Sequence, residues 1–210
     1  MSQIDAFLLD RGEPADSRPW FVYLFALTDC SAFKVGFSCN PLQRICTFTR
    51  RYFELFDLQQ SLLLELPHRE LARALEAMIK TEFAAHRAQA PAWVPLEAGG
   101  HTEWFSAVYF GEAEARLRAC IVPPANVSSA FDAFRAQLER LSAPFEAWAA
   151  AQGQRAYDSW SSARRGYAVR DHVAPLRDWL DAYRYFDLPL FVDEPQALAL
   201  IRQSARLSSG

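Results

Sequence analysis

The sequence lacks any excess of positive charge. Among its 210 residues, 22 lysines and arginines stand against 25 aspartates and glutamates, so the net charge at pH 7 is -3. Tight binding to nucleic acid regardless of sequence needs a strong positive field, and this composition argues against a protein that coats DNA or RNA by charge alone. Residues 18–90 are an exception, because they carry nine cationic and seven anionic side chains.

The sequence also lacks the cysteine and histidine spacings of a zinc site. Its four cysteines form no Cys-x-x-Cys pair and have no histidine at ligand spacing, so they are expected to be reduced thiols. The longest apolar run, Trp20 to Leu27, is too short to span a bilayer, and the N-terminus has no signal-peptide pattern. We therefore expect a soluble cytoplasmic protein. There is also no glycine-rich phosphate loop, no His-Glu-x-x-His motif and no convincing Ser/His/Asp set.

What the sequence does contain is the composition of a folded protein. Hydrophobic residues make up 51% of the chain and aromatic residues 14%, which is far from the composition of disordered chains. The distribution of prolines, glycines and apolar residues predicts three regions. These are an N-terminal arm at 1–19, a first domain at 20–122 and a helical C-terminal region at 123–210.

The first domain begins with the pattern of a small antiparallel sheet. Trp20 to Leu27 predicts a buried strand, a polar turn follows, and Phe33 to Phe37 completes a hairpin. Asn40-Pro41 begins a helix, with proline near the first helical position. Leu55 to Leu66 predicts a third strand. The expected fold class is therefore α+β, with a three-stranded antiparallel sheet flanked by helices.

A second helix is predicted from Glu70 to Arg87. Its apolar positions recur at three- and four-residue steps and form one stripe: Leu71, Leu75, Met78, Ile79 and Phe83. A line of charge runs beside that stripe: Arg69, Arg73, Glu76, Lys80 and Arg87. A loop rich in proline and glycine follows, and then an aromatic patch at 102–105 and a short helix from Glu112 to Cys120.

The C-terminal region reads as helical. One heptad-like seam is formed by Phe131, Phe134, Leu138, Leu141, Phe145 and Trp148, and Ser142 with Pro144 interrupts it. A second seam is formed by Val173, Leu176, Leu180 and Tyr183. Aromatic and cationic residues alternate between the seams: Tyr157, Trp160, Arg164, Arg165, Tyr167 and Arg170. Two interpretations stay open, namely a grip on a nucleic-acid backbone and a helical pair buried against another helix, a second protomer in a homodimer or a protein partner.

Short motifs follow one another in a fixed order between residues 20 and 110. They are Val22-Tyr23-Leu24, Lys34-Val35-Gly36-Phe37-Ser38, Asn40-Pro41, Arg44, Glu76 and Glu103-Trp104-Phe105. Their order and spacing resemble the GIY-YIG nuclease superfamily, and more closely its phage-type branch, in which lysine replaces the second signature tyrosine. The resemblance covers about half of the chain.

The resemblance implies hydrolysis of phosphodiester bonds in DNA with a divalent metal ion. Glu76 would hold the metal, with Mg²⁺ or Mn²⁺ favoured by the oxygen donors. Arg44 would bind the scissile phosphate through its planar pair of N–H donors. Tyr23 would orient or deprotonate the attacking water, and Lys34 would lower the pKa of Tyr23 and hold a phosphate.

Further cations beside these positions are expected to contact the substrate DNA. They are Arg50, Arg51, Arg73 and Lys80. Each proposed site residue also has a simpler interpretation. Tyr23 is also compatible with a core tyrosine, Glu76 with a solvated helix face paired with its neighbours, Arg44 with a surface charge and Lys34 with a lysine that protects a sheet edge.

Two departures from the superfamily pattern bear on activity. The tyrosine or histidine expected four residues after the arginine falls on Phe48, which cannot transfer a proton. The late asparagine has no counterpart, since Asn40 and Asn126 lie elsewhere. Glu103 or His101 is a candidate for part of that role, whereas Trp104 and Phe105 are expected to pack against the sheet.

Three functional hypotheses follow. The first is a Mg²⁺-dependent endonuclease acting on DNA. The second is a catalytically inactive GIY-YIG-like domain that serves as a nucleic-acid-binding or protein-interaction module. The third is a host-directed or toxin-like protein whose helical tail binds a protein partner.

Overall fold

A computed structural model describes residues 18–120, 126–161 and 167–189. These residues form two compact units, one up to Phe134 and the other from Arg135 onward. The predicted arm at 1–19 lies outside the described residues apart from its last two positions. The sequence placed the domain boundary at 122/123, whereas the first unit extends to Phe134 because a further strand lies beyond that point.

The first unit is built on an antiparallel sheet. Three strands lie at its centre, β1 (Trp20–Leu27), β2 (Ala32–Ser38) and β3 (Phe56–Leu66). Two three-residue strands, β4 (Trp104–Ser106) and β5 (Val127–Ser129), extend the edges. The strand order is β4-β2-β1-β3-β5.

The α+β class is thus confirmed, and the expectation of three strands was wrong. The part of the chain that the structure describes has five strands in one sheet. β4 pairs with β2 and β5 pairs with β3. Both added strands are three residues long, and a segment of that length is too short to display an alternating pattern.

The helices of the first unit follow the sheet in two groups. α1 (Pro41–Phe48) and α2 (Tyr52–Leu55) lie between β2 and β3. α3 (Arg69–Glu82) and α4 (Phe110–Ala119) lie between β3 and β5 in the chain. α1 begins as predicted, because Asn40 Oδ1 accepts a hydrogen bond of 3.0 Å from the backbone N–H of Gln43 and so caps the helix.

α3 ends earlier than predicted. It stops at Glu82, and a short 3₁₀ helix (Ala84–His86) follows where the sequence pattern continued to Arg87. The buried face of α3 also differs from the predicted stripe. Leu71 is exposed, while Ala72, Glu76 and Ile79 are buried.

One face of the sheet packs against α3 and α4. Val22, Leu24 and Val35 belong to the same apolar core as Ala72 and Ile79 of α3. Side chains alternate along a strand, so Tyr23 and Phe25 point to the opposite face. That face carries an aromatic cluster, whose members include Phe25, Phe48, Phe56 and Trp104.

The second unit contains most of α5 (Ala130–Arg140), α6 (Ser142–Ser161) and α7 (Tyr167–Tyr185). The predicted interruption at Ser142 is confirmed by the break between α5 and α6. The Phe145 and Tyr183 rings stack at 4.4 Å between centroids, and the Tyr183 hydroxyl donates a 2.9 Å hydrogen bond to the Leu138 carbonyl. Both predicted seams therefore supply buried contacts.

The alternating aromatic and cationic residues of this region are not described at side-chain level. Arg164 and Arg165 lie outside the described residues. The backbones of Tyr157, Trp160, Tyr167 and Arg170 lie in helices, but their side chains, like that of Val173, are outside the described set. Within the described ranges, no helix has the length and apolar character needed to cross a membrane.

Candidate functional site

The hairpin of β1 and β2 places Tyr23 and Lys34 on one face of the sheet. Tyr23 lies opposite Gly36, and Phe25 lies opposite Lys34. Directly opposed residues of an antiparallel pair point to the same side, so the two predicted site residues are neighbours on the aromatic face. Lys34 is fully buried on a central strand, which removes the interpretation of a lysine that protects a sheet edge.

Gly36 is the residue that makes room for the Tyr23 ring. A Cβ atom at position 36 would lie 2.2 Å from the Tyr23 hydroxyl oxygen and 2.4 Å from its Cζ atom. Tyr23 is itself 1% exposed and stacks on Phe25 at 4.2 Å between ring centroids. The ring therefore has little room to retreat.

Gly36→Ala should lower the free energy of unfolding by about 1–3 kcal/mol, because the added methyl group overpacks a closed core. Urea denaturation measures this difference. Gly111→Ala is the matched control, since a Cβ there meets no atom within 4 Å, and alanine is favoured over glycine in a helix by roughly 0.5–1 kcal/mol. Equal stability of the two variants would contradict this account of the Tyr23 pocket.

Tyr23 contacts the predicted phosphate-binding arginine. The Arg44 Nε–H group donates to the Tyr23 hydroxyl at 3.4 Å. Burial raises the pKa of Tyr23 to about 12, and the nearby Arg44 charge offsets only part of that rise. Because the phenol stays protonated at neutral pH, Tyr23 is suited to orienting a water or phosphate and unsuited to removing a proton.

Arg44 is held from α1 by three further contacts. Its Nη1 donates to the Ala98 carbonyl at 2.7 Å and to the Thr47 hydroxyl at 3.2 Å. Its guanidinium carbon lies 4.6 Å from the centroid of the Phe48 ring, within the range of a cation–π interaction. Arg44 is thus a positioned, half-buried group and not an ordinary surface charge.

Lys34 carries a fully buried ammonium group with two oxygen partners. Its Nζ donates to the Gly100 carbonyl at 2.8 Å and forms an ion pair with Glu103 Oε2 at 3.0 Å. Burial lowers the pKa of Lys34 to about 8, although the Glu103 charge opposes that effect. The side chain is therefore mostly charged at pH 7, but it loses its proton at a lower pH than an ordinary lysine does.

A glycine turn brings Lys34, Arg44 and Glu103 together. Gly100 has a backbone φ of +69, a conformation that residues with a Cβ atom adopt only with strain. A Cβ at this position would lie 2.6 Å from Lys34 Nζ, 2.6 Å from Glu103 Oε2 and 3.3 Å from Arg44 Nη2. The three charged groups therefore surround one point that only glycine leaves open.

Glu76 lies on the buried face of α3 and has a lysine as its partner. It is 6% exposed, so the interpretation of a solvated helix face was wrong. Its Oε1 accepts a 2.9 Å ion-paired hydrogen bond from Lys80 Nζ. The same ammonium group lies 3.1 Å from Glu103 Oε1, so Lys80 bridges the two carboxylates.

The two carboxylates and their lysines form one continuous network. Glu103 accepts from Lys80 through Oε1 and from Lys34 through Oε2, and so connects α3 to the aromatic face of the sheet. Burial raises the pKa of Glu103, but the two ammonium groups outweigh it and hold that pKa below its ordinary value. Burial lowers the pKa of Lys80, but the hydrogen bonds and charges of Glu76 and Glu103 together outweigh it and raise that pKa. We name this group of six residues the Tyr23 cluster: Tyr23, Lys34, Arg44, Glu76, Lys80 and Glu103.

The charge of the Tyr23 cluster favours an anion. Three of its side chains are cationic at pH 7 and two are carboxylates, which gives a net charge of +1. Lys80, Glu103 and Arg44 are partly exposed, and the cluster therefore reaches solvent at these residues. Guanidinium and ammonium donors with this net charge match the requirements of a phosphate group.

Mg²⁺ or Mn²⁺ at Glu76, as the resemblance implies, does not fit this arrangement of side chains. Glu76 Oε1 and both oxygens of Glu103 accept hydrogen bonds from lysine ammonium groups. A divalent ion at these oxygens would meet Lys34 and Lys80 at close range, and like charges repel strongly at a site of low exposure. Among the described residues, no group of three or more histidine, cysteine, aspartate and glutamate side chains lies together.

The other predicted substrate-binding residues have different surroundings. Lys80 belongs to the Tyr23 cluster through its two carboxylate partners. Arg51 directly precedes α2 and forms an ion pair with Glu54. Arg50 and Arg73 are exposed.

Sequence reasoning gave too small a part to Glu103 and missed Gly100. The only role predicted for Glu103, a member of the last motif, was part of that of a missing asparagine, yet Glu103 joins both lysines. The sequence does contain one indication of this turn, the Gly99-Gly100 pair, which ends three residues before Glu103. Consecutive glycines often mark a backbone with positive φ. Phe48 contributes its ring face to Arg44 at 4.6 Å and to Lys34 at 5.4 Å.

No family model, no curated protein and no solved structure matches this chain.

Proposed function

We propose that this protein is a GIY-YIG-type endonuclease that hydrolyses phosphodiester bonds in DNA through the Tyr23 cluster. The observation that carries the proposal is the meeting of residues from β1, β2, α1, α3 and the segment before β4 in two adjacent hydrogen-bonded groups. Arg44 donates to Tyr23 in one group, and Lys34, Glu103, Lys80 and Glu76 are linked in the other. Arg44 and Lys34 both contact the Phe48 ring, which brings the two groups together. The motifs of the sequence analysis contain all residues of the two groups except Lys80, which was predicted as a substrate-binding cation. DNA as the substrate rests on the resemblance to the superfamily.

The cluster supplies the charges that phosphodiester hydrolysis requires. Arg44 and Lys34 would neutralise the phosphoryl oxygens, which gain negative charge in the transition state. Glu76 is the buried carboxylate that would accept a proton from the attacking water, whereas the lowered pKa of Glu103 makes that side chain a weaker base. Lys80 has a raised pKa and remains protonated, so its ammonium group would stabilise the leaving oxygen.

The backbone oxygens near the cluster indicate where the phosphate would bind. The Ala98 and Gly100 carbonyls accept the hydrogen bonds of Arg44 Nη1 and Lys34 Nζ at 2.7 and 2.8 Å. A phosphate that binds these donors takes the place of the carbonyl oxygens, and residues 98–100 move away from the cluster. Charge-assisted bonds to phosphate are stronger than bonds to neutral carbonyls, which favours this exchange.

A second candidate function is a catalytically inactive domain that binds nucleic acid or a protein. It is favoured by the Tyr23 pKa of about 12 and by Phe48, since neither group removes a proton at neutral pH. In this case the cluster would bind a phosphate without hydrolysing the ester.

Incubation of supercoiled plasmid with the protein tests the proposal. Mg²⁺, Mn²⁺ and EDTA are used in parallel, so that the requirement for a metal is measured and not assumed. We expect nicked or linear DNA with the wild type and at least about a hundredfold slower cleavage with Glu76→Ala.

The control for this assay is Glu82→Ala, which removes an exposed carboxylate from the end of α3. It should cleave at the wild-type rate. If no sample cleaves in any of the three buffers while a gel-shift assay detects DNA binding at low salt, the second candidate replaces the first.

A further inference from the structure

We propose that the Lys80 ammonium group is the resident cation of the Tyr23 cluster. It holds Glu76 and Glu103 together in the place of a divalent ion, and its removal converts the two carboxylates into a divalent-cation site. The inference concerns the site of the proposed function but does not depend on cleavage activity.

The position of Lys80 is the first observation. Its Nζ lies 2.9 Å from Glu76 Oε1 and 3.1 Å from Glu103 Oε1, so one nitrogen serves both carboxylates. Lys80 and Glu76 are four residues apart on α3, a spacing at which side chains on a helix face meet. The lysine therefore approaches the carboxylates from a rigid element.

The burial of the carboxylates is the second observation. The Glu76 side chain is 7% exposed and that of Glu103 is 22% exposed. A buried carboxylate needs a cationic or hydrogen-bonding partner, because desolvation of an isolated charge is costly. Lys80 meets this need for both groups, and the native chain requires no added ion for it.

Loss of the Lys80 charge would leave a different site. Glu76 would have no ammonium at its Oε1, and Glu103 would keep only Lys34, at 3.0 Å from Oε2. A Mn²⁺ or Mg²⁺ ion bonds to carboxylate oxygen at roughly 2.1 Å and completes its shell with water, so both carboxylate oxygens would approach the ion more closely than they approach Lys80 Nζ, at 2.9 and 3.1 Å. The partial exposure of Glu103 provides the route for water and ion.

Manganese binding in the absence of nucleic acid tests this inference. Electron paramagnetic resonance measures the free Mn²⁺ that remains when protein is titrated with MnCl₂. Wild type and Lys80→Arg keep the cation and should show no saturable site. Lys80→Met and Lys80→Gln should each show one saturable Mn²⁺ site, at least about tenfold tighter than the weak, non-saturating binding of wild type, because a repulsive charge has been removed.

Two controls assign the gained site. Adding Glu76→Gln to Lys80→Met should abolish the gain. Arg116→Met removes the cation from an exposed ion pair with Glu82, in which both side chains are 44% exposed, and should gain no site. Circular dichroism establishes that each variant is folded before titration, and the two Lys80 replacements provide independent measurements.

Two results would overturn the inference. One is a single Mn²⁺ site in the wild type that Glu76→Gln removes. The other is a folded Lys80→Met or Lys80→Gln variant that binds Mn²⁺ no better than wild type. Neither result bears on plasmid cleavage, so failure here and failure of the proposed function are separate outcomes.

Discussion

Glu103→Ala should lower the free energy of unfolding at pH 7 by about 2–4 kcal/mol, because it leaves the buried Lys34 ammonium without its ion-pair partner. Lys34 is fully buried and would keep the neutral Gly100 carbonyl, at 2.8 Å, as its hydrogen-bond acceptor, with only aromatic ring faces beside it. The expected loss of unfolding free energy is smaller than for a fully buried ion pair, because the Glu103 side chain is 22% exposed. Urea or guanidinium denaturation at several pH values measures the effect.

The pH dependence distinguishes this cause from simple loss of packing. Burial lowers the pKa of Lys34 to about 8 in the folded wild type, against 10.5 for an ordinary lysine. Removal of Glu103 lowers the folded-state pKa further, since the Glu103 charge raises it. The folded variant then binds fewer protons than the folded wild type below pH 8, and the stability deficit narrows as pH rises through about 8.

The matched control for this comparison is Glu97→Ala, which removes an exposed carboxylate close to Glu103 in the sequence. Its stability should stay within about 0.5 kcal/mol of wild type at each pH, as is usual for exposed positions. A Glu103→Ala deficit that is the same at pH 6 and pH 9 would show that the buried ammonium is not the cause.

Arg44→Gln should slow DNA cleavage on the order of 10²–10³-fold, which is typical of losing one donor that stabilises transition-state charge. The glutamine keeps a polar side chain but loses the charge and the two parallel N–H donors. The contacts of Arg44 to Tyr23 and Ala98 also weaken, so the Tyr23 hydroxyl loses its donor. Single-turnover cleavage of a labelled duplex separates the chemical step from DNA binding.

Arg118→Gln serves as the reference variant for that assay. Arg118 is exposed on α4 and pairs with Glu114 four residues earlier. Its replacement changes the net charge by the same amount and should leave the cleavage rate unchanged. If the Arg44 and Arg118 variants cleave equally well, Arg44 has no part in the reaction.

The hairpin was predictable because its signal is local. A continuous apolar run, a polar turn and a second short run predict β1 and β2, and antiparallel pairing then places Tyr23 and Lys34 on one face. The start of α1 was predictable for the same reason, since Asn40-Pro41 is a cap followed by a first-turn proline. In each case the determining residues are adjacent in the chain.

The surroundings of Glu76 were not predictable from the sequence. The three- and four-residue spacing gave an apolar stripe beside Glu76, whereas the packed face of α3 includes Glu76 itself and leaves Leu71 exposed. The buried Glu76 carboxylate is stabilised by its ion pair with Lys80, whose ammonium group also pairs with Glu103. Glu103 lies 23 residues after Lys80, and a contact over that distance produces no periodic pattern in the sequence of the helix.

The distances along the chain between the partners have a consequence for the order of folding. Lys34 meets Gly100 and Glu103 across 66 and 69 residues, whereas Arg44 meets Thr47 within one helical turn. Contacts between distant residues form late, since the entropy of closing a long loop must first be overcome. A chain emerging from the ribosome would therefore hold the hairpin and α1 before it could form the ion pair of Lys34, which has to wait until Glu103 has been synthesised.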